Sequence, residues 1–335
     1  MRNWIKAIGG ALAVAFVAAG LYTIYVNVTS TGNPEGTSSP SPSPTLTRDG
    51  ATGVIQVATS TNVWASVIEI LGGEWVEVTA IIDDPLQDPH SYEASARDQL
   101  AISDAELVVA NGGGYDEFME QLVSALEGDR VFLKLVEGEH DHTEEGHEHS
   151  DEATTTSGEH DHGNEHIWYD FHLVGEASEL IVEAIVELRP EAFDHVTANF
   201  DFFMSELENL EIRQEALRDR ALGMGFIAAE GVGNLMLEEA GFVNQTPEAL
   251  ADAIEEEREV PPAALKQATD LITGKITGLL VVNQQVTDVA TEQLRQTAES
   301  AGVPVVELSE LIPEEGMDYL DWMASNLDHL QEAVY

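Results

Sequence analysis

Short apolar runs, each followed by a stretch of helical periodicity, recur through this chain in two sets, and that alternation decides most of what it can fold into. The first set holds the runs 54–59, 75–82, 107–110 and 131–136; the second holds 225–229, 278–282 and 303–308. Strands alternating with helices at such spacing build parallel βαβ units with right-handed crossovers. Between the sets, Phe193, Val196, Phe200, Phe203, Leu207 and Leu210 recur at steps of three and four. That pattern marks a helix with one apolar face. From 191 to 217 it would run about 40 Å at about 1.5 Å per residue, a length suited to a rod between two bodies. A plain surface helix of a single domain gives the same periodicity. The expected fold is therefore α/β: two lobes with parallel sheets, joined by one long rigid helix, with a cleft between them. Ligands of open α/β sheets bind at the carboxyl ends of the strands, which here face that cleft.

One stretch cannot belong to either lobe. Residues 137–165 hold six histidines (His140, His142, His147, His149, His160 and His162) and eleven acidic residues, with Ala153 the sole apolar side chain. Such a composition builds no core and is expected to stay disordered. Its imidazoles suit zinc, copper and nickel, and its carboxylates add hard oxygen donors. Large side chains return at once with His166-Ile167-Trp168-Tyr169-Asp170, so a metal-attracting tether feeds a packed segment that begins with histidine. A fortuitous acidic insert is the bland alternative, but six histidines within an interior loop point to metal capture.

The N-terminus carries Arg2 and Lys6 and then an uncharged, mostly apolar run from Ala7 to Val28. About 20 such residues cross a bilayer, and the preceding positive charge predicts an exported remainder. An uncleaved anchor over 1–28 is preferred to a cleaved signal, because the run exceeds an h-region of about 7–15 residues and no small-x-small site follows. A Ser/Thr/Pro-rich linker over 29–53 would hold the folded part off the membrane. Thereafter the expected division is an N-terminal lobe over 54–189, the connecting helix over 190–221 and a C-terminal lobe over 222–335. Lys and Arg number 14 against 62 Asp and Glu, a net charge of −48. Such a polyanion repels nucleic acid and anionic lipid and attracts cations. The chain has no cysteine, which excludes disulfides, thiolate zinc sites, thiol catalysis and lipid attachment through sulfur.

Each lobe ends its strands in possible metal ligands. His90 follows the second strand within D-P-H-S-Y, His166 opens the segment after the histidine tract, Glu230 follows the run 226–229, and Glu310 follows 303–308. Two imidazoles and two carboxylates make a reasonable four-point site for a divalent ion, although such distant residues prove nothing by spacing. The stretches D-P-H-S-Y, E-H-I-W-Y-D, A-A-E-G-V-G-N-L-M-L-E-E-A-G, V-V-E-L-S-E-L-I-P and D-Y-L-D-W-M, in this order from Val54 onward, resemble the solute-binding subunits of zinc/manganese ABC importers. The resemblance implies two α/β lobes bridged by a rigid helix, with His90 and His166 as the histidine ligands. Glu230 falls where members carry His or Glu, and Glu310 where many carry Asp. It further implies an exported receptor, monomeric and without catalysis, that hands zinc to an ABC permease in the membrane.

Two glutamates make this ligand set harder and move it toward manganese, whereas the histidine tract favours zinc. The tract is given more weight, so zinc is expected with manganese as the alternative. The tract would capture ions and pass them to His166. A metal-dependent hydrolase is disfavoured, because no H-E-x-x-H or G-x-S-x-G accompanies the set. A surface adhesin is a further alternative. Asp170 is expected to orient His166, and Trp168, Tyr92 and Trp322 to pack around the site. His172, His195 and His329 are expected to be structural or superficial. Gly112, Gly113 and Gly114 form no phosphate loop, since no G-K-S/T follows.

Overall fold

A computed structural model describes residues 53–128, 130–136, 164–255, 258–285 and 288–335. The anchor and linker expected over 1–53 therefore lie almost wholly outside the described residues, and so do the six histidines of the tract. Among the described residues no helix is long and apolar enough to cross a membrane.

The first sheet contains β1 (Ile55–Thr61), β2 (Val76–Ile82), β3 (Leu107–Gly112) and β4 (Val131–Val136), in the order β2-β1-β3-β4. The second contains β5 (Gly225–Ala228), β6 (Val243–Asn244), β7 (Thr277–Asn283) and β8 (Val305–Leu308), in the order β6-β5-β7-β8. Every pairing is parallel. The two sheets thus share one winding. In each, the order reverses between the first strand and the third, the place where open sheets leave a crevice.

Helices cover the sheets as the alternation requires. In the first lobe α1 (Asn62–Gly72) packs against β1 and β2, while α2 (Ala96–Asp104) and α3 (Glu117–Ser124) pack with the strands around Ala58, Ile102, Val108, Met119 and Leu122. In the second, α6 (Asn234–Glu239), α7 (Glu248–Glu255), α8 (Pro262–Thr273) and α9 (Val289–Ala301) accompany a core that includes Ile227, Leu250, Ile272, Leu280 and Leu294. The edge strand β6, two residues long, was too short to be legible in the sequence, and helix α7 was passed over although Leu250, Ala253 and Ile254 give it an apolar face.

After α4 (Phe171–Leu188), the rod is α5 (Phe193–Ala221), 29 residues long. It buries Val196, Phe200, Phe203, Leu207, Leu210, Gln214 and Leu217 along one face. Phe193, on the first turn, is exposed instead. The last helix, α10 (Tyr319–Val334), follows the second sheet in the chain yet packs along α5 and reaches α1. Its Tyr319 N–H donates to Ser66 Oγ on α1 at 2.9 Å.

Polar side chains also join the lobes directly. Asn62, at the start of α1, donates to the carbonyl of Ile312 and accepts from the N–H of the same residue, both at 3.1 Å. Gln285, just beyond β7, donates to Pro85 O at 2.9 Å and accepts from Glu310 N–H at 3.0 Å.

Candidate metal site

His90 sits on the loop after β2, whose two prolines keep the backbone out of helix. Asp88 Oδ1 accepts from His90 N–H at 3.0 Å, an Asx turn that sets the direction of the imidazole. The ring is one-fifth exposed, with Nε2 3.3 Å from Glu310 Oε2 and Nδ1 3.4 Å from Glu165 Oε1.

The segment Asn164-Glu165-His166 leaves the histidine tract and enters the lobe through a short 3-10 turn over Ile167–Tyr169. Asn164 Nδ2 donates to Gly231 O in the second lobe at 2.9 Å, and this orients its amide. Asn164 Oδ1 consequently faces His166, accepting from its N–H at 2.9 Å and lying 3.0 Å from its Nδ1. With the amide so turned, Nδ1 must carry the ring proton and Nε2 the lone pair. Gly231 packs close here: a Cβ would stand 3.2 Å from His166 Nδ1 and 3.3 Å from Asn164 Nδ2, so the neighbours would have to give by a few tenths of an ångström. His166 is 1% exposed, and its Nε2 has no hydrogen-bond partner among the described residues. Trp168 walls it at a ring distance of 5.2 Å.

The carboxylates arrive from the second lobe. Glu310 is fully buried beyond β8, where Tyr169 Oη donates to the neighbouring Ser309 O at 2.7 Å and fixes the chain. Glu310 Oε2 accepts from Tyr115 Oη at 3.1 Å and lies 3.9 Å from His166 Nε2. Glu230, 6% exposed, follows β5 and is tied in through Asn283 at the end of β7, whose Nδ2 donates to both glutamates. Tyr115 owes its position to the glycines before it. Gly112 has φ of 82°, and a Cβ there would come within 2.1 Å of Val136 O on β4, so only glycine closes β3 this tightly.

The electrostatics follow from this packing. Burial alone would lower the pKa of His90. The hydrogen bond to Glu310 and its charge, with Glu165 and Asp88 behind, outweigh that and push it up to about 9. His166 moves the other way, down to about 4, because burial dominates over the charge of Glu310 while His90 adds repulsion. Burial pushes Glu230 up to about 8 against the bond from Asn283. Burial would raise Glu310 too, but its bonds to His90 and Tyr115 and the nearby imidazoles hold it below the usual carboxylate range. One neutral imidazole, one protonated imidazole and one ionised carboxylate thus converge on a point largely shielded from water.

The structure sets His90, His166 and Glu310 side by side, with Glu230 joined to Glu310 through Asn283, and adds residues that sequence reasoning passed over. His90, Glu165 and His166 place one ligand atom each within 4.8 Å of one another. In the sequence Glu165 is the last acid of the tract, and nothing there singles out Tyr115, Asn164 or Asn283. Asp170 does not orient His166: its Oδ1 caps α4, accepting from His172 N–H at 2.9 Å and Leu173 N–H at 3.0 Å. The alanine variant at Asp170 is expected to lose about 0.5–2 kcal/mol of stability in denaturant unfolding while its metal affinity stays unchanged. Tyr92 packs on Phe118 and donates to Asp98, and Trp322 lies against Tyr169 and Tyr319. His172, His195 and His329 are all exposed.

Residues 57–333 match the family model described as zinc-uptake complex component A, periplasmic. The manganese-binding lipoprotein MntA of Halalkalibacterium halodurans is 28% identical over 158 residues, 47% of each chain. The high-affinity zinc uptake system protein ZnuA of Yersinia pestis is 27% identical over 153 residues, 41% of this chain and 48% of its own. The chain thus spans about half the length of these curated relatives in the matched regions. The fold superposes on the periplasmic zinc-binding protein TroA of Treponema pallidum with a TM-score of 0.67 and 18% identity, over 84% of this chain and 99% of that one. With its family model spanning both lobes and the cleft between them, the chain belongs to the ZnuA family.

Proposed function

We propose that this protein captures a divalent metal ion outside the cytoplasmic membrane, zinc in the first place, and delivers it to an ABC permease. The ion would sit between the lobes on His90, His166, Glu230 and Glu310, and the protein would perform no catalysis. The observation that carries this reading is the lone pair of His166 Nε2: buried, unpartnered and pointed at a carboxylate. An unmet buried acceptor costs about 1–3 kcal/mol, and a cation here would offset that cost. The other donors suit the same occupant, since imidazole nitrogen and carboxylate oxygen together form a usual zinc set. Manganese is the second reading, favoured by the two carboxylates and by the manganese-binding relative. An N-terminal anchor and linker would keep the receptor, as a monomer, near its permease.

A proton lies where the ion would go, between His90 Nε2 and Glu310 Oε2. Metal ligands must be deprotonated. With His90 at about 9 and Glu230 at about 8, both carry protons at pH 7, and both must lose them when the ion binds. Binding at pH 7 is therefore expected to release about two protons, and affinity to rise steadily from pH 6 towards pH 9. Calorimetry in two buffers of different ionisation enthalpy measures that number. Release of no proton at pH 7 would remove this cleft as the binding site.

A further inference from the structure

Asn283, at the end of β7, is 3% exposed. Its Oδ1 accepts from Gln285 N–H at 3.0 Å, which fixes the orientation of the side chain and turns the NH₂ towards the carboxylates. Nδ2 then donates to Glu230 Oε2 at 2.6 Å and to Glu310 Oε1 at 2.7 Å. An amide nitrogen has two protons, so both are used, one on an oxygen of each glutamate. The other oxygen of Glu310, Oε2, faces both imidazoles and also accepts from Tyr115 Oη at 3.1 Å.

We propose that Asn283 determines which ion this site prefers, by restricting Glu230 and Glu310 to one oxygen each. The inference rests on the metal site proposed above. Two imidazoles and two one-oxygen carboxylates amount to four donors, the number and geometry zinc takes. Manganese favours octahedral surroundings rich in oxygen, and carboxylates that bind through both oxygens supply them. Asn283 withholds those second oxygens. It does so without charge, where an ammonium group would repel the cation as well.

The test compares the full chain with its Asn283→Ala and His166→Ala variants, titrating zinc and manganese separately against a chromophoric chelator. In Asn283→Ala the ratio of zinc to manganese affinity is expected to fall by at least about tenfold, within the range usual for residues that orient ligands. Equal weakening of both ions would overturn the proposal, because a merely structural role lowers them in parallel. If His166→Ala leaves both affinities intact, the cleft reading itself fails and this inference with it. If His166→Ala abolishes tight binding and Asn283→Ala leaves the ratio unchanged, this inference alone fails. Zinc-edge X-ray absorption of the unaltered protein with less than one equivalent of zinc gives a readout that needs no variant. Four nitrogen or oxygen neighbours at about 2.0–2.2 Å are expected. A carboxylate bound through both oxygens would overturn the proposal.

Discussion

Replacing His166 by alanine is expected to abolish tight metal binding, lowering affinity by well over the roughly 10–100-fold typical of residues that merely orient ligands. The reason is geometric. His90 and Glu310 already satisfy one another at 3.3 Å, so without the second imidazole the cleft closes on an ordinary ion pair. His166 Nε2 is a buried donor atom with no hydrogen-bond partner among the described residues. The same titration on a chain lacking residues 139–163 is expected to keep its tightest equivalent of metal, because none of the four cleft residues lies in that stretch. If the deletion abolished tight binding while His166→Ala retained it, the histidine tract and not the cleft would be the receptor site. The variant should fold normally, since removing a side chain with an unmet nitrogen relieves a cost as it opens a void.

The second large effect is on stability. Phe203→Ala is expected to cost about 3–5 kcal/mol, the usual range for truncating a fully buried phenylalanine. Phe203 lies midway along α5 with its ring 6.0 Å from that of Tyr319 on α10. Tyr319 Oη in turn donates to Trp168 O at 2.7 Å, and Trp168 lies against His166. A void at 203 therefore loosens the support of the site as well as the helix pair. Denaturant unfolding should show a lower midpoint with an unchanged slope. A loss below about 1 kcal/mol would mean that α10 collapses onto α5 to fill the gap.

How much of this was legible in advance differs by level. Strand and helix alternation carried the two-lobed architecture, because buried parallel strands of the Leu279–Val282 kind are continuous apolar runs whatever their neighbours. The regular step of apolar residues from Val196 to Leu210 carried the rod. The site was legible only as residue types within stretches that resemble a known family, and its fine structure was not. Whether Asp170 or Asn164 orients His166 depends on which of two nearby side chains the 3-10 turn swings towards the ring, and Asp170 is claimed by the first turn of α4. Asn283 was invisible for a similar reason. An asparagine at a strand end usually turns the chain, and its donation to two carboxylates exists only once β5, β7 and β8 lie side by side. Tyr115 needed three left-handed glycines before its direction could be known.

The paired bonds between Asn62 and Ile312 have a kinetic meaning. One amide makes both of them, with its nitrogen on the carbonyl and its oxygen on the N–H, like a single rung of ladder linking the first lobe to the second. Two bonds held by one planar group do not stretch independently: withdrawing Asn62 breaks both at once, and its return restores both. Any separation of the two lobes at this point is thus all-or-none at the rung.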